Sequence, residues 1–182
     1  STMTDSLYYI LTADILLNDI SNPNWIKSGA KNEWFYAEAT AQCFRGFLDG
    51  QGHVVKGIYV DADPNSTPST FGGLFGVVYK GSSVQNVGVS DSQITAKYAG
   101  SITGYIVNSQ REAPTQFSQC FGDGKVLLVG MYVGGIVGGT GCAVAIDNCY
   151  FTGLLDSSLR AGGILGSVWG PGYHANSSIS NC

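Results

Sequence analysis

Short apolar segments bounded by glycine or small polar residues follow one another along most of the chain. Val84–Val89, Val126–Val129 and Ile146–Phe151 are each rich in β-branched and aromatic residues, which favour strands. From residue 72 onward, no stretch sustains the i, i+3, i+4, i+7 spacing of an amphipathic helix. The pattern predicts an all-β fold built from short strands.

Two sequence elements alternate along this part of the chain. The first reads GGLFG at 72–76, GSITG at 100–104, GGIVG at 134–138 and GGILG at 162–166, with successive offsets of 28, 34 and 28. The second reads VQNVGV at 84–89, FSQCFG at 117–122, IDNCYF at 146–151 and ISNC at 179–182, with successive offsets of 33, 29 and 33. A shared period of about thirty residues predicts a solenoid whose coils each hold about three strands, paired in parallel with their equivalents.

Such a repeat places equivalent residues of successive coils above one another. The positions expected to stack inside the coils are Leu74, Ile102, Ile136 and Ile164 in the first series and Val84, Phe117, Ile146 and Ile179 in the second. One column holds Asn86, Gln119, Asn148 and Asn181, which we expect to form an amide ladder at a bend. The next column holds Val87, Cys120, Cys149 and Cys182. We expect buried free thiols there, with a disulfide or a metal site as weaker alternatives.

The N-terminal segment 1–71 follows the period poorly. We expect one domain over 1–182, with an atypical N-terminal cap and first coil at 1–71 and repeats at 72–182. Leu7–Ile10 and His53–Val60 are predicted strands, whereas Asn32–Gln42 fits either a short helix or a loop. The sequence stops inside a second-series element, so we expect a fragment of a longer polypeptide with further domains.

The amino-acid composition limits the classes of function that this chain can have. The 26 glycines among 182 residues supply the sharp turns that short coils need. Net charge is −4, with nine lysines and arginines and no basic run, which argues against a nucleic-acid partner. The sequence shows no membrane-spanning apolar stretch, no signal peptide and no phosphate-loop, dinucleotide, nucleophile-elbow or zinc-protease motif. We therefore predict no cofactor, no metal site and no catalytic residues.

The order of these segments resembles a known family. YYILTADILLNDI at 8–20, FRGFLDGQGHVVKGIYVD at 44–61, GGLFG, VQNVGV and the later GGIVG…IDNCYFTG and GGILG…ISNC units are similar to GLUG-motif repeat proteins of bacterial secreted and surface polypeptides. GSITG and the glutamine of FSQCFG depart from the family pattern. The resemblance implies a right-handed parallel β-helix of about four to five coils, an extracellular or cell-surface location, and adhesin-like neighbours. The resemblance implies no catalytic residue in this chain.

Some side chains outside the repeat register are candidates for binding. Aromatic residues that could stack on sugars are Trp25, Trp34, Tyr36, Trp169 and Tyr173. Packing is the favoured explanation for these aromatic residues, and Trp169 with Tyr173 is the first candidate if a glycan platform exists. Asp61 and Asp63 could share a face as a carboxylate or calcium site, but aspartates beside strand ends are usually turn residues. His53 and His174 are expected at turns or on the surface.

Three functions remain open. The leading hypothesis is a non-enzymatic structural or adhesin-like domain that contacts a host or surface glycan or protein. The first alternative is a carbohydrate-binding module. The second is a polysaccharide lyase or hydrolase built on a β-helix, which requires three or more acidic or basic side chains to converge on adjacent coils.

Overall fold

The described part of the chain folds as an all-β structure. The computed structural model describes residues 7–19, 37–38, 41–107, 114–169 and 176–182. Within these ranges the chain forms twenty-one short strands and no helix. No helix long and apolar enough to cross a membrane occurs in these ranges.

The strands form four sheets, and every strand pair within them is parallel. Sheet 1 contains β1 (Tyr8–Ile10), β3 (Phe47–Asp49), β8 (Ser83–Gln85), β13 (Thr115–Ser118), β17 (Val144–Asp147) and β21 (Ser178–Ser180). Sheet 2 contains β2 (Ile15–Leu16), β4 (Val54–Lys56), β9 (Gly88–Ser90), β14 (Phe121–Asp123) and β18 (Tyr150–Phe151). Sheet 3 contains β5 (Tyr59–Asp61), β6 (Phe71–Gly72), β10 (Gln93–Thr95), β11 (Tyr98–Gly100), β15 (Leu127–Gly134) and β19 (Leu154–Gly162). Sheet 4 contains β7 (Phe75–Tyr79), β12 (Thr103–Val107), β16 (Val137–Thr140) and β20 (Leu165–Val168).

Successive stretches of chain visit the four sheets in the same order and then return to sheet 1. We call each such stretch a rung; β8 to β12, β13 to β16 and β17 to β20 are three successive rungs. Phe117 pairs with Val84 on one side and with Ile146 on the other. The backbone N–H of Ile136 donates to the Ile164 carbonyl oxygen at 3.0 Å. The predicted stacking of equivalent residues is confirmed.

The number of strands per repeat was predicted wrongly. A rung supplies at least four strands, one to each sheet, instead of about three. Where the chain also bends within sheet 3, as it does between β10 and β11, the rung has a fifth strand. The segment predicted as one strand at His53–Val60 is divided into β4 and β5. Gly57 lies between them with φ of +74°, and its carbonyl accepts a hydrogen bond from Asn18 Nδ2 at 2.6 Å. This left-handed backbone favours glycine and ends the strand.

Most of the inequality in the repeat offsets comes from one connection. The connection from sheet 4 to sheet 1 has three residues after β7 and three after β16, but seven after β12 and nine after β20. The two longer connections fall within the larger offsets of each series, those of 33 and 34. From β8 onward the connections between the other sheets hold two or three residues, so the columns of equivalent residues stay in register.

The core fills the space enclosed by the sheets. Ile102, Ile136, Val84, Phe117 and Ile146 are at most 1% exposed, as predicted for the stacked interior columns. Leu74 is also buried, whereas Ile164 is partly exposed and Ile179 is 50% exposed. Burying one such side chain contributes roughly 1.5–3 kcal/mol, so the middle rungs gain most from stacking.

Strands from the N-terminal segment 1–71 belong to sheets 1, 2 and 3. β1 to β6 pair with later strands in the same parallel register. Ala37 forms an antiparallel bridge with Phe71, and Phe44 forms a parallel bridge with Val78. Most of Asn32–Gln42, which was predicted as either a short helix or a loop, lies outside the described residues. The proposed boundary between cap and repeats stays a prediction.

Candidate functional site

Trp169 lies at the surface immediately after β20, and two hydrogen bonds hold it in place. Its backbone N–H donates to the Thr140 carbonyl oxygen at 2.8 Å, and Nε1 donates to Ser167 Oγ at 2.9 Å. The residue is 37% exposed. The other aromatic candidates, Trp25, Trp34, Tyr36 and Tyr173, lie outside the described residues, as does His174. The predicted pairing of Trp169 with Tyr173 therefore stays a prediction.

Two side chains that sequence reasoning missed contact this indole. The Arg160 guanidinium carbon lies 5.0 Å from the ring centroid of Trp169. The ring of Tyr132 lies 5.3 Å away, at an interplanar angle of 84°. The repeat could have indicated this, because Tyr132 and Arg160 pair directly across sheet 3. We call Tyr132, Arg160 and Trp169 the tryptophan cluster. It combines an aromatic surface with a fork of hydrogen-bond donors.

An aromatic column leads up to this cluster along the outside of sheet 3. Phe71 stacks on Tyr98 at 5.3 Å, and Tyr98 stacks on Tyr132 at 4.6 Å. Burial, with a smaller contribution from Tyr105, raises the pKa of Tyr98 to about 12. Tyr98 therefore stays neutral at ordinary pH and serves packing. Tyr132 is 7% exposed, and Trp169, which contacts it, is 37% exposed.

The aspartates considered for catalysis or calcium are used in local structure. Asp61 Oδ2 accepts a hydrogen bond from the Tyr59 hydroxyl at 3.1 Å. Asp63 Oδ1 accepts from the backbone N–H of Asn65 at 2.8 Å, as a turn-forming aspartate does. In the described ranges, no group of three or more His, Cys, Asp or Glu side chains could hold a metal ion.

The amide column lies at a bend, as predicted, and its hydrogen bonds run to aspartates. Asn86, Gln119, Asn148 and Asn181 all have φ between 51° and 53°, a left-handed conformation that asparagine tolerates. Asn86 Nδ2 donates to Asp49 Oδ1 at 3.0 Å, and Asn181 Nδ2 donates to Asp147 Oδ1 at 2.9 Å. Each carboxylate therefore ties its rung to the following one.

These bonds perturb the two carboxylates in the same direction. The backbone N–H of Gln51 and then the Asn86 amide lower the pKa of Asp49. The Ser180 hydroxyl and then the Asn181 amide lower the pKa of Asp147. In both cases the donors stabilise the ionised form, and the carboxylate acts as a link between rungs.

A small polar cluster lies near the N-terminal end. Asp14 Oδ1 accepts a hydrogen bond from the Val54 N–H at 3.0 Å and lies 3.2 Å from His53 Nδ1, while Asp14 Oδ2 lies 4.0 Å from Lys56 Nζ. The Val54 N–H and then His53 lower the pKa of Asp14. The cluster brings acidic and basic groups together, but it holds one carboxylate, whereas glycoside hydrolysis uses two. His53 is partly exposed beside the turn, as predicted.

The cysteine column is a stack of free thiols. The backbone N–H of Cys120 lies 3.4 Å from Cys149 Sγ, and that of Cys149 lies 3.4 Å from Cys182 Sγ. All three are free of disulfides; Cys120 and Cys149 are buried and Cys182 is exposed. The hydrogen bond with Cys149, together with burial, raises the pKa of Cys120, so this thiol stays protonated. The predicted buried thiols are confirmed for the first two positions.

Exposed large apolar side chains gather at the two ends of the stack. In the described ranges they are Leu7, Tyr8, Tyr9, Ile10, Leu16, Tyr150, Leu154, Leu159, Val168, Trp169 and Ile179. All of them precede residue 17 or follow residue 149. The sequence pattern alone did not separate them from the interior apolar positions, because the same residue types fill both.

Comparisons of the chain with protein-family models, with curated proteins and with solved structures gave no match. The candidate sites are therefore characterised by their own geometry. They consist of the tryptophan cluster on the outer surface and the exposed apolar side chains at the ends of the stack.

Proposed function

We propose that this chain is a non-enzymatic, adhesin-like structural domain of a bacterial extracellular or cell-surface protein. Its four parallel sheets would close as a right-handed β-helix of about four to five coils, with residues 1–71 as the N-terminal cap and first coil. The observation that carries the proposal is the continuous register from β1 to β21, which makes a stiff element with long faces. The resemblance to GLUG-motif repeat proteins supports the same location and role.

The polar side chains fit a scaffold. Asp49 and Asp147 link successive rungs, and Asp63 holds a turn. Their hydrogen bonds contribute to the stack and leave these carboxylates committed to structural partners. Carboxylates that stabilise the stack in this way fit a structural scaffold better than an active site.

The cellular location of the protein tests this proposal directly. Antibodies raised against the folded chain should label intact cells of the source organism, and protease added outside those cells should remove the label. Labelling that requires permeabilised cells would contradict the proposal. A cytoplasmic marker protein that stays unlabelled in the intact cells is the control.

Carbohydrate binding is the second candidate, and the tryptophan cluster favours it. An anchored, partly exposed indole beside a guanidinium offers a stacking surface with donors for hydroxyl or carboxylate groups of a sugar. On a glycan array, Trp169→Ala should abolish retention while leaving the melting temperature nearly unchanged. Equal loss of retention and stability would assign Trp169 to packing, and an array without binding by the wild-type chain would contradict the candidate.

A further inference from the structure

Both arginines in the described part of the chain stack on an aromatic ring. The Arg45 guanidinium carbon lies 3.6 Å from the ring centroid of Tyr79, and that of Arg160 lies 5.0 Å from the ring centroid of Trp169. Both arginines are exposed, and neither takes part in the salt bridges found among the described residues. A guanidinium that stacks on a ring keeps its in-plane N–H donors directed outward, so each arginine offers a fork that can bind a carboxylate.

The two arginine–aromatic stacks lie on the outer side of sheet 4. The register of this sheet places four residues in one outward-facing column: Tyr79, Val107, Gly141 and Trp169. Arg45 lies beside Tyr79, because the preceding Phe44 bridges to Val78. Neighbouring strands are about 4.8 Å apart, so three strand spacings separate the two stacks by about 14 Å. Because the column points away from the core, a ligand reaches it across the face of the sheet and not at a strand edge.

Sheet 4 differs from the other sheets in its charge. None of the residues in β7, β12, β16 and β20 is charged. Each acidic residue in the described ranges lies in another sheet or in a connecting segment, and sheets 1, 2 and 3 all contain aspartates. The chain as a whole has a net charge of −4. An approaching anion therefore meets less repulsion at the outer face of sheet 4 than at the other three sheets.

Two glycines keep the surface between the stacks low and allow tyrosines to cover it. A Cβ at Gly139 would lie 2.9 Å from Tyr98 Cδ1, and a Cβ at Gly141 would lie 2.7 Å from the Tyr105 hydroxyl oxygen. Burial raises the pKa of Tyr105, as it does that of Tyr98, so both hydroxyls stay neutral at ordinary pH. The surface between the two guanidinium groups therefore consists of aromatic rings and uncharged hydroxyls, which suit the apolar faces and hydroxyl groups of sugars.

We propose that the outer face of sheet 4 binds a linear glycan that contains uronic acids, with one carboxylate at Arg45 and another at Arg160. The inference rests on carbohydrate binding, the second function proposed above, and names the class of glycan. The planar guanidinium fork matches a carboxylate, and the rings between the two forks contact the intervening sugars.

The wide spacing of the two cations favours a glycan over a nucleic acid. Double-stranded DNA carries one charge for about every 1.7 Å of its length, so two cations about 14 Å apart would neutralise little of it. A glycan whose carboxylates are separated by uncharged ring atoms and hydroxyls presents a lower charge density. Charge and surface chemistry therefore point to the same ligand class.

Two labelled oligosaccharides test the ligand class. One is a hyaluronan oligosaccharide, in which glucuronate alternates with a neutral sugar, and the other is an oligogalacturonate, in which every sugar has a carboxylate. At least one of them, when long enough to span both stacks, should bind the full chain saturably in fluorescence anisotropy. The same oligosaccharide with methyl-esterified carboxyl groups should bind about tenfold or more weakly, because the charge-assisted hydrogen bonds are lost. A disaccharide should lose at least as much, because it cannot engage both arginines.

Variants of the chain locate the glycan. Arg45→Gln and Arg160→Gln should each weaken binding about tenfold, and the double variant about a hundredfold, because well-separated sites contribute independently. Lys125→Gln removes the same charge from an exposed position between sheets 2 and 3 and should leave binding unchanged. Circular dichroism establishes that each variant is folded.

Several outcomes would overturn the inference. They are absent binding of both oligosaccharides, equal binding of the esterified form, and an equal loss in Lys125→Gln. Duplex DNA or anionic lipid vesicles that bind as tightly, and lose binding in the same arginine variants, would overturn it as well. Retention of a neutral glycan through Trp169, without binding of either uronate, would overturn this inference and leave carbohydrate binding intact. A glycan array without any binding would contradict both.

Discussion

The two ends of the stack differ in how sheets 3 and 4 terminate. At the N-terminal end, Ala37 bridges to Phe71 and Phe44 bridges to Val78, and Phe71 is 5% exposed. At the C-terminal end, β19 and β20 have no strand beyond them within the described residues, and Leu154 is 71% exposed. The same repeat position is therefore core or surface according to whether a rung follows it. Equivalent positions in the middle and at the end should accordingly respond differently to the same change.

The largest difference is expected for stacked isoleucines. Ile136→Ala removes a fully buried side chain and should lower the free energy of unfolding by about 2–5 kcal/mol. Ile179→Ala removes a side chain that is 50% exposed and should cost less than about 1 kcal/mol. Urea denaturation followed by circular dichroism measures both. Equal costs would show that the last rung is packed as tightly as the middle ones.

Thiol reactivity should separate the ends of one column. Cys182 is exposed, whereas Cys120 and Cys149 are at most 1% exposed. In the native chain Cys182 should react with a maleimide about a hundredfold or more faster than either buried thiol, whose reaction requires local opening. Mass spectrometry after timed quenching identifies the modified residues. Rapid modification of Cys149 would show that the last rungs separate readily; denatured chain provides the reference rates.

A matched glycine pair gives the next largest effect. Gly135 and Gly163 occupy the same position of successive repeats, GGIVG and GGILG. A Cβ at Gly135 would overlap the Gly163 carbonyl oxygen, whereas a Cβ at Gly163 meets nothing within 4 Å. Gly135→Ala should destabilise by roughly 1–3 kcal/mol and Gly163→Ala by no more than about 0.5 kcal/mol. Thermal unfolding compares the two; a comparable loss in Gly163→Ala would contradict the open space found around Gly163.

The smallest effect is expected from acid. The folded-state pKa values of Asp49 and Asp147 are lowered, so their stabilising contribution is present above the ordinary aspartate pKa and is lost as pH falls through the folded values. Stability should therefore decline gently below about pH 4. Asp147→Asn should flatten that decline by removing the charge that Ser180 and Asn181 stabilise. Urea midpoints measured from pH 7 to pH 2.5 provide the comparison, and an unchanged slope in Asp147→Asn would contradict it.

The stacking of the fold could be predicted from sequence because its signal is repeated. The glycine-flanked element occurs four times, at equivalent positions of the repeat. Ile102 and Ile136 were therefore assigned to the interior correctly. The bend at Asn86 and its equivalents was predicted for the same reason. The number of strands per rung was not predicted correctly, and the bend within sheet 3, around Lys97, carries no glycine or proline that would indicate it.

The contacts within the candidate sites could not be predicted, because they join residues of different strands. Trp169 was identified as a surface aromatic, but its contacts with Tyr132 and Arg160 require the register across sheet 3. The amide column was expected to bond to itself, whereas Asn86 and Asn181 donate to carboxylates. A charged acceptor forms the stronger hydrogen bond, so the aspartate one position before the bend competes successfully.

Length variation in this molecule occurs mainly at the corner between sheets 4 and 1, and in one rung at the bend within sheet 3, where nine residues separate β5 from β6 and two separate β10 from β11. The passage from sheet 4 back to sheet 1 takes three residues after β7 and after β16, seven after β12 and nine after β20, while the stacked columns stay aligned. Additional chain at this corner costs little loop-closure entropy and leaves the hydrogen-bonding lattice intact. That corner is therefore the natural place to graft a reporter epitope or a recognition loop without redesigning the scaffold.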